Sequence, residues 1–516
     1  MASQCFFRVL FCAILSALNA GVTGLVCDPV FFNKSSIVCR CNATYCDTVP
    51  ELKLSANSYT IYTSTMAGDR FANKIVPFSS KTSTATGDVK VDKSTKYQDI
   101  IGFGGAITDS AALNVFKLSF KATRKLLQSY YSPVGIEYTL GRVPEAGSGF
   151  SLRNYTYDDV YGDIDLDHFA LAPEDHLLKI PLLKLAKRMS RRNIKLFSTP
   201  FGASYWMKRS GSASHGGFMK GKPGGDYYKA YANYNVKFLD AYKKNGIEFW
   251  GLTSDNQPIF GLLHLVPAIS TAFTGTLQRD YIVKDLGPAL EAAGYGHLKL
   301  IIYDENTFWP ARWAKTVYDD PIANQYSSGL GLHWYLNNDT GYDVMTETHN
   351  IAPDKFMLST EACVNMPLPG EGPVELGSWE RGEAYFHDII KTLQNWVAGW
   401  TDWNIALDME GGPTWLNDFV DSPIIVNPQN DEFYKQPMFY AMGHFSKFVT
   451  PNSIRHHMTL TGTNIDGVVF SSPENNTVMI LYNGMDTEEV VKITDGPKVF
   501  SVTVKARSFN TLIYQN

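Results

Sequence analysis

Between Tyr97 and about Asn404, short apolar runs alternate with longer stretches of helical periodicity. Lys195 to Thr199, Phe249 to Thr253, Leu298 to Tyr303, Leu330 to Tyr335 and Phe356 to Thr360 have the length and apolar character of strands. Ala230 to Lys244 instead places Ala232, Val236, Leu239 and Tyr242 on one helical face. Strand then helix, repeated over such a length, predicts an α/β fold with a parallel sheet. Its most economical form is a closed (β/α)8 TIM barrel over residues 97–449.

The tail follows another rhythm. Gly467 to Ser471, Thr477 to Tyr482, Val490 to Ile493, Val499 to Val504 and Thr511 to Tyr514 are β-rich runs separated by Pro, Gly, Asn and Asp. They predict a small antiparallel β-sandwich. Leu52 to Lys93 has the same character, so residues 51–96 and 450–516 are expected to complete one sandwich beside the barrel. Ser210 to Gly225 is crowded with Gly, Ser and Pro, which predicts a loop, either a mobile lid or an exposed surface connection.

The 516 residues are 44% hydrophobic and 13% aromatic, enough for a large core and more than one domain. A net charge of −5 and a pI near 6.1 give no electrostatic reason to propose a nucleic-acid partner. Lys187, Arg188, Arg191 and Arg192 form a small basic cluster, read as a solvated helix end. Residues 1–24 carry Arg8, an apolar stretch from Val9 to about Ala20 and then small residues, the pattern of a cleaved secretory signal peptide. Cys27, Cys39, Cys41 and Cys46 crowd together, and in an oxidising compartment such a cluster reads as disulfides, in one of three pairings, rather than zinc. No metal-ligand spacing is present, and neither a metal nor a cofactor is expected. Sequons at Asn33, Asn42, Asn154, Asn338 and Asn475 are glycosylation candidates.

Two strand ends carry the candidate chemistry. Phe249 to Pro258 and Phe356 to Cys363 are apolar runs that break abruptly into polar residues, as at the C-terminal face of a barrel. Retaining glycoside hydrolysis needs a nucleophile and a general acid there, about 5 Å apart. Glu361 has the chemistry of the nucleophile. The partner place is held by Gln257, whose amide hydrogen-bonds to a leaving oxygen but gives it no proton. Asp255, two residues earlier, would point to the same side one pleat deeper if the strand stayed regular. Gly102 to Gly105 lacks the third glycine of a dinucleotide loop, because position 107 is Ile, and reads as a tight turn into the barrel.

Together with these segments, the Cys27, Cys39, Cys41, Cys46 spacing, Gly102-Phe103-Gly104-Gly105-Ala106, Arg142-Val143-Pro144, His333-Trp334-Tyr335, Gly399-Trp400-Thr401-Asp402-Trp403-Asn404 and Phe433-Tyr434-Lys435-Gln436-Pro437-Met438-Phe439-Tyr440 resemble the lysosomal acid β-glucosidase (glucosylceramidase) family of retaining glycoside hydrolases. The resemblance covers nearly the whole chain beyond the signal. It implies disulfides Cys27 to Cys39 and Cys41 to Cys46, and a disulfide-bonded N-terminal β-element over 25–50 completed by part of 404–435. It also implies hydrolysis of glucosylceramide at acidic pH, a saposin-like activator at an anionic lipid surface, and a lysosomal or secreted destination.

Residue by residue, the resemblance makes Glu361 the nucleophile, Asn256 the holder of the sugar 2-hydroxyl and Arg142 the cation that orients the nucleophile. Trp206, Tyr335 and Trp403 would line the glucose pocket, Asp402 would bind sugar hydroxyls, and Cys363 would be a buried free thiol beside the nucleophile. The departures concentrate at the pocket: the family has Glu at Gln257, Asp at Gly149, Trp at Phe201 and Asn at Asp418. Two functions are therefore expected from one site, a retaining β-glucosidase impaired at its acid/base position or a catalytically weak glycolipid-binding paralogue. A third is a retaining glycosidase for another β-glycoside.

Overall fold

The computed structural model describes residues 24–79, 85–263, 269–364 and 371–516; the signal peptide read at residues 1–24 lies almost wholly outside them. Eight parallel strands close into a barrel: β1 (Gly102–Ala106), β2 (Leu140–Glu145), β3 (Lys195–Pro200), β4 (Gly251–Thr253), β5 (Lys299–Asn306), β6 (Ser327–His333), β7 (Phe356–Glu361) and β8 (Val397–Asp402). Nearly every residue of these strands is buried, which is why they read as continuous apolar runs rather than as alternation. The expected helix over 230–244 spans Asp226–Lys244 and turns Tyr231, Phe238 and Tyr242 inward.

Val38–Asn42 pairs with Glu432–Lys435 in a five-stranded sheet that also holds Pro29–Val30, Ile424–Asn427 and Leu407–Asp408. Cys27–Cys39 and Cys41–Cys46 are the two disulfides, and Cys363 is free and buried. The N-terminal element is thus completed by chain that follows β8, and the Lys435 to Asp47 ion pair at 2.6 Å fastens the two parts.

The third layer is a nine-stranded sheet drawn from both ends of the described chain. Its pairs are antiparallel except one, Glu489–Asp495 against Gly87–Asp99, where the N-terminal strand slots between two C-terminal ones and meets one of them running in the same direction. The helix Pro437–Ser446 joins this sheet to the barrel, with all ten residues buried. From it, Phe445 meets Phe103 of β1, while His444 bonds Thr511 at 2.8 Å and Ser64 at 3.0 Å in the sheet. Burial pushes His444 down to about 3, so it stays neutral in that joint.

One surface expectation changes. Arg192 is not a solvated helix end: its guanidinium donates to the Ser446 and Lys447 carbonyls, each at 2.9 Å, and pairs with Glu137 at 3.0 Å. The Ser210 to Gly225 segment is a loop as expected, folded back against the residues before it by a Lys208 to Met219 bridge, with the Arg209 N–H donating to the Phe218 carbonyl and the Lys220 N–H to the Met207 carbonyl, each at 2.8 Å. Of the sequons, Asn33, Asn338 and Asn475 are exposed and Asn42 and Asn154 are half-buried. Among the described residues, no helix is long and apolar enough to cross a membrane.

Candidate active site

The site forms at the C-terminal ends of the strands. Arg142 on β2 points into the barrel, fully buried, and is bonded to Glu361 of β7. Its other nitrogens donate to Asn256 at 2.8 Å, Asp304 at 3.0 Å and Thr199 at 3.1 Å. Burial works against the guanidinium charge, and Asp304 and Glu361 outweigh it. Burial likewise raises Asp304, but Arg142 and His333 more than reverse this, and the carboxyl is held below the usual carboxylate range. One cation between two anions makes a low-dielectric arrangement stable that neither anion would tolerate alone.

Glu361 receives a second bond, from the Tyr335 hydroxyl at 2.7 Å, and His333 Nδ1 stands 3.7 Å from the same oxygen. Tyr335 also lies 3.4 Å from the Cys363 sulfur, whose pKa burial pushes well above the usual thiol value. The carboxylate is therefore gripped on both oxygens while it faces a cavity of about 440 Å³.

Asn256 and Gln257 line that cavity, but not as the continuation of a regular strand. β4 ends at Thr253, and Gln257 adopts a left-handed backbone at φ 45°. Its N–H donates to the Asp304 carbonyl at 2.9 Å, and Ser270 Oγ donates to its carbonyl at 2.8 Å. The regular strand on which the expected direction of Asp255 depended therefore does not reach it. Its carboxyl is fully buried, accepts the Asn256 N–H at 2.9 Å and is not part of the cavity wall; burial pushes its pKa well up.

Phe201 and Trp403 stack at 5.4 Å and 16°, forming an aromatic wall over which Arg142 lies on the barrel side. Such a surface suits the apolar face of a pyranose. Gly149, Leu416 and Asp418 complete the wall, with burial and the charge of Glu361 raising Asp418.

Arg142, Asn256, Gln257, Tyr335, Glu361 and Trp403 thus come together as the sequence led one to expect. Trp206 and Asp402 do not. The Trp206 indole is buried and donates to the Asp158 carbonyl at 3.1 Å, away from the cavity. Asp402 lies behind the wall, accepting from Tyr385 at 2.6 Å, and burial pushes its pKa well up. Asp304 was missed altogether. Tyr303 and Asp304 have φ of 72° and 51°, a bulge that turns Asp304 into the barrel from a place where pattern alone gives no direction.

A closed parallel barrel that offers a doubly bonded carboxylate beside an amide pair and a stacked aromatic wall is the architecture of a barrel glycoside hydrolase. The chain belongs to glycosyl hydrolase family 30: the family's TIM-barrel domain matches residues 100–449 and its beta sandwich domain residues 452–512. It is 41% identical to the lysosomal acid glucosylceramidase of Mus musculus over 98% of this chain and 97% of that protein. It is 39% identical to putative glucosylceramidase 4 of Caenorhabditis elegans over 93% of each. Among solved structures, SrfJ from Salmonella typhimurium superposes with a TM-score of 0.80 at 25% identity, covering 89% of this chain and all of that one.

Proposed function

We propose that this chain is a glucosylceramidase-type retaining β-glucosidase whose nucleophile is in place and whose proton donor is not. Glu361 attacks the anomeric carbon to form a glycosyl-enzyme, with Arg142 and Tyr335 aiming its oxygens and Asn256 holding the 2-hydroxyl as the oxocarbenium-like charge develops. Gln257 occupies the acid/base position and hydrogen-bonds to the glycosidic oxygen without protonating it. The observation that carries the reading is the pair of bonds from Arg142 and Tyr335 to the two oxygens of Glu361, in a cavity that Gln257 also lines.

Likeness to the glucosylceramidases supports glucosylceramide as the substrate, an anionic lipid surface with a saposin-like activator as the setting, and the lysosomal lumen as the place. A second reading, a glycolipid-binding relative with little turnover, draws support from Gln257 and the bare wall at Gly149. Glucosylceramide hydrolysis at acidic pH by this chain beside Gln257→Glu tests the proposal. Turnover by the variant alone upholds it, and equal turnover by both refutes the role given to Gln257.

A further inference from the structure

The basic cluster at residues 187–192 is one edge of a larger cationic face. Helix Ile180–Met189, between β2 and β3, packs beside helix Phe120–Tyr131, between β1 and β2, in the outer ring of the barrel. Ala122, Leu126, Leu127 and Tyr130 of one helix and Leu182, Leu183 and Ala186 of the other turn inward. Helical spacing then leaves Lys121, Arg124 and Lys125 on the outer face of the first, and Lys184, Lys187 and Arg188 on that of the second, with Arg191 just past its end. Six of these seven are exposed and Lys125 is half-buried. None has an ion pair or side-chain hydrogen bond to another described residue, in contrast to Arg192, which Glu137 holds. No acidic residue occurs from 110 to 136 or from 176 to 225.

Like charges three and four residues apart repel along a helix, so the fold itself gains nothing from them. A chain of net charge −5 that still gathers seven unpaired cations on two adjacent helices has there the field of a polyanion site. What the face lacks narrows the partner. A protein interface needs an apolar core, and the large exposed apolar residues nearby, Phe120 and Leu177, border the cations at the starts of the two helical segments rather than forming a centre. A bilayer is disfavoured by direction. The face lies on the flank of the barrel, whereas the cavity opens at the C-terminal ends of the strands, so a membrane against the flank would leave the cavity turned aside. A flexible linear polyanion needs neither an apolar core nor a given direction of the cavity. A chain read as entering the secretory pathway meets such polymers as sulfated glycans.

We propose that the outer faces of these two helices bind a sulfated glycosaminoglycan, its sulfate groups paired with the lysine and arginine side chains and the catalytic cavity left open. None of the seven cations lines the cavity, so the inference stands apart from the retaining-glycosidase reading.

Its test is titration of the full chain with fluorescently labelled heparin at pH 7 and about 0.15 M NaCl. Two triple variants are compared, Lys121→Ser with Arg124→Ser and Lys125→Ser, and Lys184→Ser with Lys187→Ser and Arg188→Ser. A control makes the same charge change at exposed lysines of the nine-stranded sheet, Lys74→Ser with Lys90→Ser and Lys96→Ser. Each helix variant should raise Kd about 10-fold or more, and the control should raise it less than about twofold. The slope of log Kd on log salt should fall by about one for each contacting cation removed. Lys184→Arg with Lys187→Arg, which keeps the charge, should bind as the unmodified chain does, and fully desulfated heparin should bind about 10-fold more weakly or worse. Melting temperatures of the helix variants should not fall, because like-charge repulsion is relieved. Failure to bind heparin, an equal loss in the control, or equal affinity for the desulfated polymer overturns the proposal. So does binding of phosphatidylserine vesicles without binding of heparin, which would make the face a bilayer contact.

Discussion

Gln257→Glu exchanges an amide for a carboxyl of the same shape at a position whose backbone is already tied down. The Asp304 carbonyl accepts its N–H at 2.9 Å, and its own carbonyl accepts from Ser270 at 2.8 Å and from the Gly261 N–H at 3.1 Å. No repacking is needed, so the change acts through protonation. A positioned acid/base is worth about 100 to 10,000-fold, roughly 3 to 5 kcal/mol of barrier. Glu361 in the same cavity would raise the new carboxyl's pKa, as a proton donor requires. With octyl β-glucoside or glucosylceramide in detergent at acidic pH, Gln257→Glu should exceed the unmodified chain by that factor. With 2,4-dinitrophenyl β-glucoside, kcat/KM should stay within about threefold, because glycosylation then needs no acid. Under the same conditions kcat should still rise about 100-fold or more, because water needs a base to release the glycosyl-enzyme. Azide, a nucleophile that needs no base, should speed the unmodified chain on this substrate and leave Gln257→Glu nearly unchanged. The reasoning is refuted if the unmodified chain cleaves the alkyl glucoside as fast as the variant, or if the variant gains nothing on it.

Further outcomes follow from the same contacts. Arg142→Ala leaves Asp304 buried without its cation, which should cost about 3 to 5 kcal/mol in denaturant unfolding and abolish labelling of Glu361. Tyr335→Phe removes one bond to Glu361 and should lower kcat/KM on the activated glucoside about 10 to 100-fold while the melting temperature moves little. Cys363, buried with its pKa pushed up, should resist iodoacetamide at pH 7.5 in the native protein and react once unfolded. Stability should rise on acidification from pH 7.5 to 5. Burial raises Asp255, Asp402 and Glu145, and Asp158 to about 6. Such groups take up protons in the native state first, and their contribution is lost as pH rises through the folded pKa. His444, pushed down to about 3, opposes this at about 1.4 kcal/mol per pH unit below its unfolded pKa near 6.5. Several buried carboxyls against His444 and the burial-lowered His349, His387 and His456 give a higher melting temperature at pH 5, and a lower one there would contradict the burial account.

Much of this was legible in the sequence because barrel strands buried on both faces are apolar throughout and end abruptly where polar site residues begin. Glu361, Asn256 and Gln257 sit at such breaks. Asp304 was hidden because a bulge of two left-handed residues, not alternation, turns it inward. The expectation for Asp255 assumed a regular strand, whereas β4 stops before it and the chain twists at Gln257. Asp402 flanks the wall position Trp403, and only packing reveals that it bonds Tyr385 behind the wall and that Trp206 bonds Asp158 away from the cavity. Arg192 read as solvated because sequence gives no sign of the Ser446 and Lys447 carbonyls that approach it from more than two hundred residues away.

The central claim is a competent nucleophile without its acid. The most direct measurement is intact mass and peptide mapping of the unmodified chain, quenched after mixing with 2,4-dinitrophenyl β-glucoside. One hexosyl unit on Glu361 in most molecules, cleared when azide is added, is the expected result. Unlabelled protein in a preparation that releases dinitrophenolate, or a hexosyl unit on another residue, would contradict it.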